Sequence, residues 1–183
     1  EPRRLPLLHS NLRIVQGDAM NPASTASAVH GADAVICALG TMPEGKDERS
    51  RRQPGIPVCS VGIRNILAAL PRNGSRLVVV SAASVGDSYR AGMFGAGFIV
   101  RLALRQVMAD KEEQESAVRD SGCNWTILRP VKLTNRPARG NLRSGADLRW
   151  NITSSATHAD VANYTVQILA DTKTYRQAIT LRN

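Results

Sequence analysis

The sequence has few aromatic residues, few histidines and few cysteines, and each shortage excludes a class of function. Only 4% of its 183 residues are aromatic, which leaves few rings on which single-stranded bases can stack. The three histidines, His9, His30 and His158, lie far apart and form no metal-binding pattern. Three cysteines at unrelated spacings predict neither a disulfide framework nor a zinc cluster. We therefore expect no metal, reduced thiols and an intracellular, cytoplasmic protein.

The sequence also lacks a long apolar run. No stretch approaches the roughly 18 apolar residues that a membrane span needs, and the N-terminus has no signal peptide, so we expect no membrane partner. The chain length predicts one domain over 1–183. The net charge is +9, with 20 arginines against 4 lysines, an excess that indicates nucleic acid, an anionic membrane surface or a phosphorylated ligand as a partner. No nucleic-acid-binding motif accompanies this charge, and we expect no nucleic-acid partner.

Apolar runs alternate with helical patterns along the chain, which predicts a parallel sheet covered on both faces. The predicted strands are 12–16, 33–39, 76–80, 125–128 and 178–181, and the second of them is expected to be buried on both faces. The predicted helices are 23–29, 58–70, 98–121 with a break near 109–110, and 157–169 with Thr157 or Ser155 as its cap. Segment 42–57 is predicted to be a loop.

Small and polar residues follow several of these strands, at the edge where such sheets bind ligands. Asp18 either accepts hydrogen bonds from an adenine amine or makes a turn. Residues 38–40 either let a ligand approach the backbone or form a tight turn. The hydroxyls of Ser81 and Ser84 either hold a substrate carbonyl or face solvent as loop serines.

Lys111 lies in an acidic stretch of the long predicted helix. The default interpretation is a solvated helix face, because Lys111 and Glu115 form an ordinary i, i+4 pair. The functional interpretation is a lysine that points into the cleft and donates to a ribose hydroxyl. The sequence leaves both interpretations open.

The glycines and apolar residues between 92 and 104 form a further candidate segment. Gly92, Gly95 and Gly97 are spaced like a phosphate loop, but they trail the preceding strand by about ten residues, where a dinucleotide fingerprint would follow it directly. The apolar residues around them predict either a lid or partner contact, or an ordinary core helix.

Several segments together resemble the NAD(P)-binding, atypical short-chain dehydrogenase/reductase family, in its NmrA-like branch, which includes biliverdin reductase B. In chain order these segments are Gly17-Asp18, Ala38-Leu39-Gly40, Val78-Val-Val-Ser81, Asp110-Lys111, Trp125-Thr-Ile-Leu-Arg129-Pro130 and Asp160-Val161-Ala162. The last two are the most specific, and the resemblance covers nearly the whole chain. Members of this family open with a β-α-β unit whose glycine-rich turn binds pyrophosphate. That unit is absent from this sequence, and we expect a fragment of a longer polypeptide rather than a natural variant.

The resemblance implies a Rossmann-like, doubly wound, mostly parallel α/β sheet with helices on both faces, and NADPH or NADH as cofactor. The positive charge favours NADPH. By position, the implied cofactor contacts are Asp18 and Ala19 at the adenine, Ala38, Leu39, Gly40 and Thr41 at the ribose and phosphates, and Ser81, Lys111, Pro130, Val131 and Leu133 around the nicotinamide. The implied catalytic candidates are Lys111, Ser81 and Ser84.

One departure from the family pattern affects the implied activity. The dehydrogenase tyrosine, four residues before the lysine, is replaced by Val107, which leaves water or Ser84 as the proton source. The resemblance implies an NAD(P)H-dependent reductase of a small carbonyl, quinone or flavin-like substrate. The alternative is an NAD(P)-sensing, non-catalytic regulator of NmrA type. A homodimer or a protein partner is compatible with either function.

Overall fold

The computed structural model describes residues 9–40, 57–71 and 74–183, which build a parallel sheet with helices on both faces. The helices and strands in chain order are α1 (Pro22–Val29), β1 (Ala34–Cys37), α2 (Val58–Ala69), β2 (Arg76–Val80), α3 (Ala96–Ala103), α4 (Arg105–Arg119), β3 (Asn124–Pro130), β4 (Lys132–Thr134), β5 (Arg143–Gly145), β6 (Ser155–Thr157), α5 (His158–Gln167) and β7 (Gln177–Arg182). The same described residues contain three short 3-10 helices, at Gly86–Ala91, Met93–Gly95 and Thr172–Thr174.

The main sheet has the strand order β1-β2-β3-β7-β5. The first four strands run parallel, and β5 is antiparallel to β7. The side chains of β2 point alternately to the two faces of the sheet, as in any strand. Leu77 and Val79 belong to the core under α2 and α4, while Val78 belongs to the core under α3 and α5. The predicted doubly wound fold is confirmed.

Two predictions about strands are wrong. Residues 12–16 form no strand, and Leu12 and Val15 are exposed, because no strand of the described residues pairs with this segment and an apolar pattern alone supplies no hydrogen-bonding partner. Strand β1 is not buried on both faces, since Ile36 is 45% exposed. Ile36 pairs with Val78 and shares its face of the sheet, but the core on that face does not reach β1, which lies at the edge of the described sheet.

The long helix is interrupted, but at Leu104 rather than near 109–110. Leu104 has non-helical backbone angles, φ −121° and ψ 31°, and separates α3 from α4. The predicted helix 157–169 is observed as α5, and its cap is Thr157 rather than Ser155, which belongs to β6. The predicted loop 42–57 lies outside the described residues except for Pro57.

Asp160, in the first turn of α5, ties three segments of the chain together. Its carboxylate accepts hydrogen bonds from the backbone N–H groups of Arg139 and Gly140, at 2.9 and 3.0 Å, and from the side-chain amide of Asn183 at 2.9 Å. The Thr157 hydroxyl donates to the same carboxylate and accepts from the Asp160 backbone N–H. The two backbone N–H groups of Arg139 and Gly140 hold the pKa of Asp160 well below its usual range.

We expect Asp160→Asn to lower the melting temperature at neutral pH, because a neutral amide replaces a carboxylate that accepts these bonds. A lowered native-state pKa stabilises the fold fully above the unfolded pKa of about 3.9 and less as the pH falls below it. The difference in melting temperature between wild type and variant should therefore shrink in acid. Thermal melts across a pH series measure it, and a difference that grows in acid would contradict this account.

Candidate functional site

Lys111 lies at the carboxyl ends of two neighbouring strands, β1 and β2. Its Nζ is 3.3 Å from the carbonyl oxygen of Leu39, which follows β1, and 3.3 Å from that of Val80, which ends β2. The residue is only 8% exposed. The solvated interpretation of Lys111 is wrong, because the side chain is buried, and Glu115, its expected i, i+4 partner, bonds to Arg129 instead. An ammonium group has three N–H donors, and the two carbonyls use two of them. Among the described residues no third acceptor is found, which leaves one donor for a ligand at this edge of the sheet.

Ser81 and Ser84 follow β2, and both have buried hydroxyls without a hydrogen-bond partner among the described residues. The interpretation as solvated loop serines is therefore wrong. The Ser81 backbone N–H donates to the Leu128 carbonyl at 2.7 Å, which holds the loop along β3. Ser84 has φ of 80°, a conformation unusual for a residue with a side chain. A buried hydroxyl without a partner costs free energy, which a ligand that bonds to it removes.

A cavity of about 320 Å³ lies beside this loop, and most of its walls are apolar. The lining residues are Ala82, Ala83, Val100, Leu104, Met108, Pro130, Val131, Lys132, Trp150, Asn151, Ile152 and Ser154. Two predicted site residues, Pro130 and Val131, are therefore part of the wall. Leu133 is half-buried in β4 and does not line the cavity. Such walls suit a ligand with a flat or apolar body.

Asp18 and Ala19 lie just before α1, and Ala19 approaches the end of β1. The exposed carboxylate of Asp18 accepts from the backbone N–H two residues further on, at 3.0 Å, which is the turn geometry that the sequence left open. The Ala19 carbonyl accepts from the Asn65 side chain of α2 at 2.8 Å. Gly62 of α2 packs between Ala19 and Leu39, and a Cβ at Gly62 would meet both. Because glycine has no side chain, Ala19 and Leu39, which follows β1, can lie close together on either side of Gly62.

Ala38, Leu39 and Gly40 follow β1 without regular structure, and Thr41 lies outside the described residues. Ala38 and Gly40 are exposed. A Cβ built on Gly40 meets no atom of the described residues within 4 Å. Packing within the described chain therefore does not explain a glycine here, and the position is open to a ligand.

Sequence reasoning missed a buried ion pair between Arg129 and Glu115. The two side chains are 3% and 4% exposed and bond twice, with Nε to Oε1 at 3.0 Å and Nη2 to Oε2 at 2.6 Å. Arg129 Nη1 also donates to Asp87 at 2.6 Å. Burial alone would lower the pKa of Arg129, but the carboxylates of Glu115 and Asp87 outweigh it and raise the pKa. The pair fixes the end of β3 directly before Pro130, a wall of the cavity.

Asp110 makes a second structural contact, besides the Arg129–Glu115 pair, that the sequence did not indicate. Its two carboxylate oxygens accept from the backbone N–H groups of Cys59 and Ser60, at 2.9 and 2.8 Å. These N–H groups belong to the first turn of α2, where helical bonds are missing. The contact spans about 50 residues of sequence, so no local pattern reveals it. It fastens α4 to α2 one residue before Lys111 and thereby helps to position the ammonium group.

Cys37 and Cys59 lie near Lys111 but are poor nucleophiles. Burial raises the pKa of both thiols, and that of Cys59 reaches about 12. The reactive form of cysteine is the thiolate, which such pKa values suppress at neutral pH. The Cys59 thiol instead donates to the Leu39 carbonyl at 3.4 Å. These cysteines therefore pack and hydrogen-bond around the site rather than react in it.

Two searches of the described residues have negative results. No group of three or more His, Cys, Asp and Glu side chains in this part of the chain is arranged to hold a metal ion. No helix in the same residues combines the length and the apolar character needed to cross a bilayer.

Comparisons of the sequence with known proteins find one family and one curated relative. A family model described as NAD(P)H-binding matches residues 1–172. An uncharacterized chloroplastic protein of Arabidopsis thaliana is 29% identical over 135 residues, which cover 72% of this chain and 46% of that protein. The chain therefore spans about half the length of this curated relative.

Comparisons of the structure find the same type of sheet in solved proteins. A short-chain dehydrogenase/reductase from Veillonella parvula, in complex with NADP, has a TM-score of 0.73 at 19% identity, covering 100% of this chain and 76% of that chain. ChuY, described as an anaerobillin reductase from Escherichia coli, has a TM-score of 0.67 at 19% identity, covering 90% of this chain and 72% of that chain. At these identities the likeness shows a Rossmann-like fold.

Proposed function

The chain belongs to the NAD(P)H-binding family, whose model matches residues 1–172. We therefore propose that it acts as an NADPH- or NADH-dependent reductase of a small carbonyl, quinone or flavin-like molecule. This membership confirms the resemblance inferred from the motifs. The proposal rests on the position of Lys111. Its Nζ is 3.3 Å from the carbonyl oxygens of Leu39 and Val80, and the buried Ser81 directly follows Val80.

The residues at this edge of the sheet fit the nicotinamide half of the cofactor. The remaining N–H donor of Lys111 suits a ribose hydroxyl, and the free Ser81 hydroxyl suits the nicotinamide amide. Gly40 leaves room for the backbone to approach a phosphate. From the family pattern we assign the remaining contacts to Asp18 and Ala19 at the adenine, Ala38, Leu39 and Thr41 at the ribose and phosphates, and Pro130, Val131 and Leu133 at the nicotinamide.

The chemistry divides between the cofactor and the chain. When bound, the reduced nicotinamide supplies a hydride. Lys111 holds the ribose, the loop after β2 orients the ring, and the apolar cavity excludes water from the reacting face. Val107 offers no hydroxyl in the place of the family tyrosine, so the proton comes from the buried Ser84 hydroxyl or from water.

The cavity supports the substrate class. Its walls supply few charged groups, with Lys132 as the charged lining residue, and its volume of about 320 Å³ is at the small end of ligand pockets. A flat carbonyl compound, quinone or isoalloxazine ring presents the apolar surface that these walls bury. We therefore place the substrate against Ala83, Pro130, Val131 and Trp150.

One observation favours the alternative of a regulator that binds NAD(P) without turnover. Val107, one helical turn before Lys111, removes the phenol that family dehydrogenases use as their acid. Such a protein would keep the cofactor contacts around Lys111 and lack only the proton transfer. Binding without consumption of NADPH distinguishes the regulator from the reductase.

The reductase is tested by steady-state consumption of NADPH with a flavin or a quinone, measured by loss of NADPH absorbance. The assay uses the 183-residue chain. We expect Gly40→Val to fold normally and to raise the KM for NADPH by about 10- to 100-fold, because its side chain occupies cofactor space. Gly145→Val, in strand β5, is the matched control.

The outcomes separate the hypotheses. Consumption by the wild type with a raised KM in Gly40→Val supports the reductase and the placement of the cofactor. If the chain binds NADPH but consumes none with any acceptor, the regulator is the correct function. An unchanged KM in Gly40→Val would show that the cofactor does not pass Gly40.

A further inference from the structure

Helix α3 and the 3-10 turn before it carry an exposed apolar surface. Phe94 is 89% exposed, Leu102 67%, Phe98 64% and Ile99 55%. The three helical residues lie on one side of α3, since at 3.6 residues per turn they fall within about 100° of the helix circumference. Phe94 and Phe98 are the only phenylalanines of the whole sequence. We call these four residues the α3 surface.

The opposite side of α3 is also apolar but covered. Val100 lines the cavity together with Leu104 at the end of the helix, and Ala96 is buried in the core. The one charged residue of the helix, Arg101, is paired with Glu112 of α4. A helix that is apolar all round is normally buried on all sides or lies in lipid. Within residues 9–40, 57–71 and 74–183, the protein covers only one side of α3, and the α3 surface is exposed.

The charged residues of the chain segment that carries the α3 surface are all arginines. From Ser88 to Ala109 the sequence contains no Asp or Glu and three arginines, Arg90, Arg101 and Arg105. Arg90 and Arg105 are exposed. Apolar and aromatic side chains flanked by arginine characterise segments that lie in the interface of an anionic membrane, with the apolar side chains below the head groups and the cations among them.

We propose that the α3 surface binds the surface of an anionic membrane. The expectation of no membrane partner rested on the lack of a spanning run, and surface binding does not need one. A second copy of the chain fits less well, because a two-fold contact across α3 would bring the exposed arginines of both copies together. The four apolar residues are also far fewer than the roughly 20 residues a side of a stable protein interface.

Co-sedimentation with lipid vesicles tests this proposal with the full chain. One set of vesicles contains phosphatidylcholine alone, and the other contains equal parts of phosphatidylcholine and phosphatidylglycerol. We expect binding to the anionic vesicles, weakened by salt and by Arg90→Gln/Arg105→Gln. Phe98→Ser/Leu102→Ser should lower the partition coefficient at least about tenfold, since two apolar side chains no longer enter the lipid. Val166→Ser, at an equally exposed apolar residue of α5, is the matched control and should bind normally.

Three results would overturn the proposal. The first is wild-type protein that stays in the supernatant with anionic vesicles. The second is an equal loss of binding in Val166→Ser, which would show that the α3 surface has no special role. The third is a wild-type dimer in light scattering that Phe98→Ser/Leu102→Ser converts to a monomer, which would assign the surface to a second copy. Circular dichroism confirms that each variant is folded.

Discussion

Arg129→Met is expected to lower the free energy of unfolding by about 3 to 5 kcal/mol, a large part of the stability of an ordinary domain. Methionine leaves the carboxylate of Glu115 buried, at 4% exposure, without its bidentate partner. Asp87 is 81% exposed and loses little, because water replaces its bond to Arg129. Urea unfolding followed by circular dichroism measures the change.

A double variant separates the ion pair from simple packing. In Arg129→Met/Glu115→Leu neither charge remains, and well-packed apolar pairs often replace buried ion pairs at little cost. We therefore expect the double variant to be more stable than Arg129→Met alone, although the change at Glu115 also removes its ion pair with Arg119, at 3.7 Å. A double variant as unstable as the sum of the two single variants would show that Arg129 and Glu115 do not stabilise each other.

Lys111→Ala is expected to weaken NADPH binding by about 10- to 100-fold, the loss that follows removal of one hydrogen bond from a charged donor. The ammonium group lies where strands β1 and β2 end, and alanine leaves no donor there. Calorimetric titration of NADPH into wild type and variant measures the change. This prediction tests the central contact of the proposed cofactor site.

The control for Lys111→Ala is Lys173→Ala, in the 3-10 helix Thr172–Thr174, where the lysine side chain is exposed. It removes the same charge from the molecule without touching the strand ends. Equal affinity in Lys111→Ala and wild type would contradict the assignment. A thermal melt of each variant is needed as well, because Lys111 also bonds to the Leu39 and Val80 carbonyls.

The sequence predicted those elements whose signal is local. Strands β2, β3 and β7 contain short runs rich in apolar and β-branched residues, and the helices on both faces follow from the spacing of their apolar residues and from their caps. Segment 12–16 carries the same kind of run but forms no strand, because a strand also needs a partner that no window of sequence contains. The break at Leu104 depends likewise on how α3 packs, and the residues around it have no glycine or proline to mark it.

The candidate site was predictable in part. The family motifs placed Ser81 and Lys111 together, and the structure brings both to neighbouring strand ends. The partner of Lys111 was not predictable, because spacing along the helix favoured Glu115, whereas the fold gives Glu115 to Arg129. Glu115 pairs with Arg129 rather than Lys111 because α4 packs beside the end of β3. That packing is a property of the assembled fold.

The three cysteines allow opening of the fold to be measured by thiol labelling. Cys37, Cys59 and Cys123 are all buried, with exposures of 2%, 0% and 3%. Burial raises the pKa of Cys59 to about 12, so its thiol stays protonated at neutral pH while the fold is closed. An alkylating reagent therefore modifies these thiols mainly in molecules that have opened. The rate of labelling therefore reports the free energy of opening of the sheet next to the proposed cofactor site.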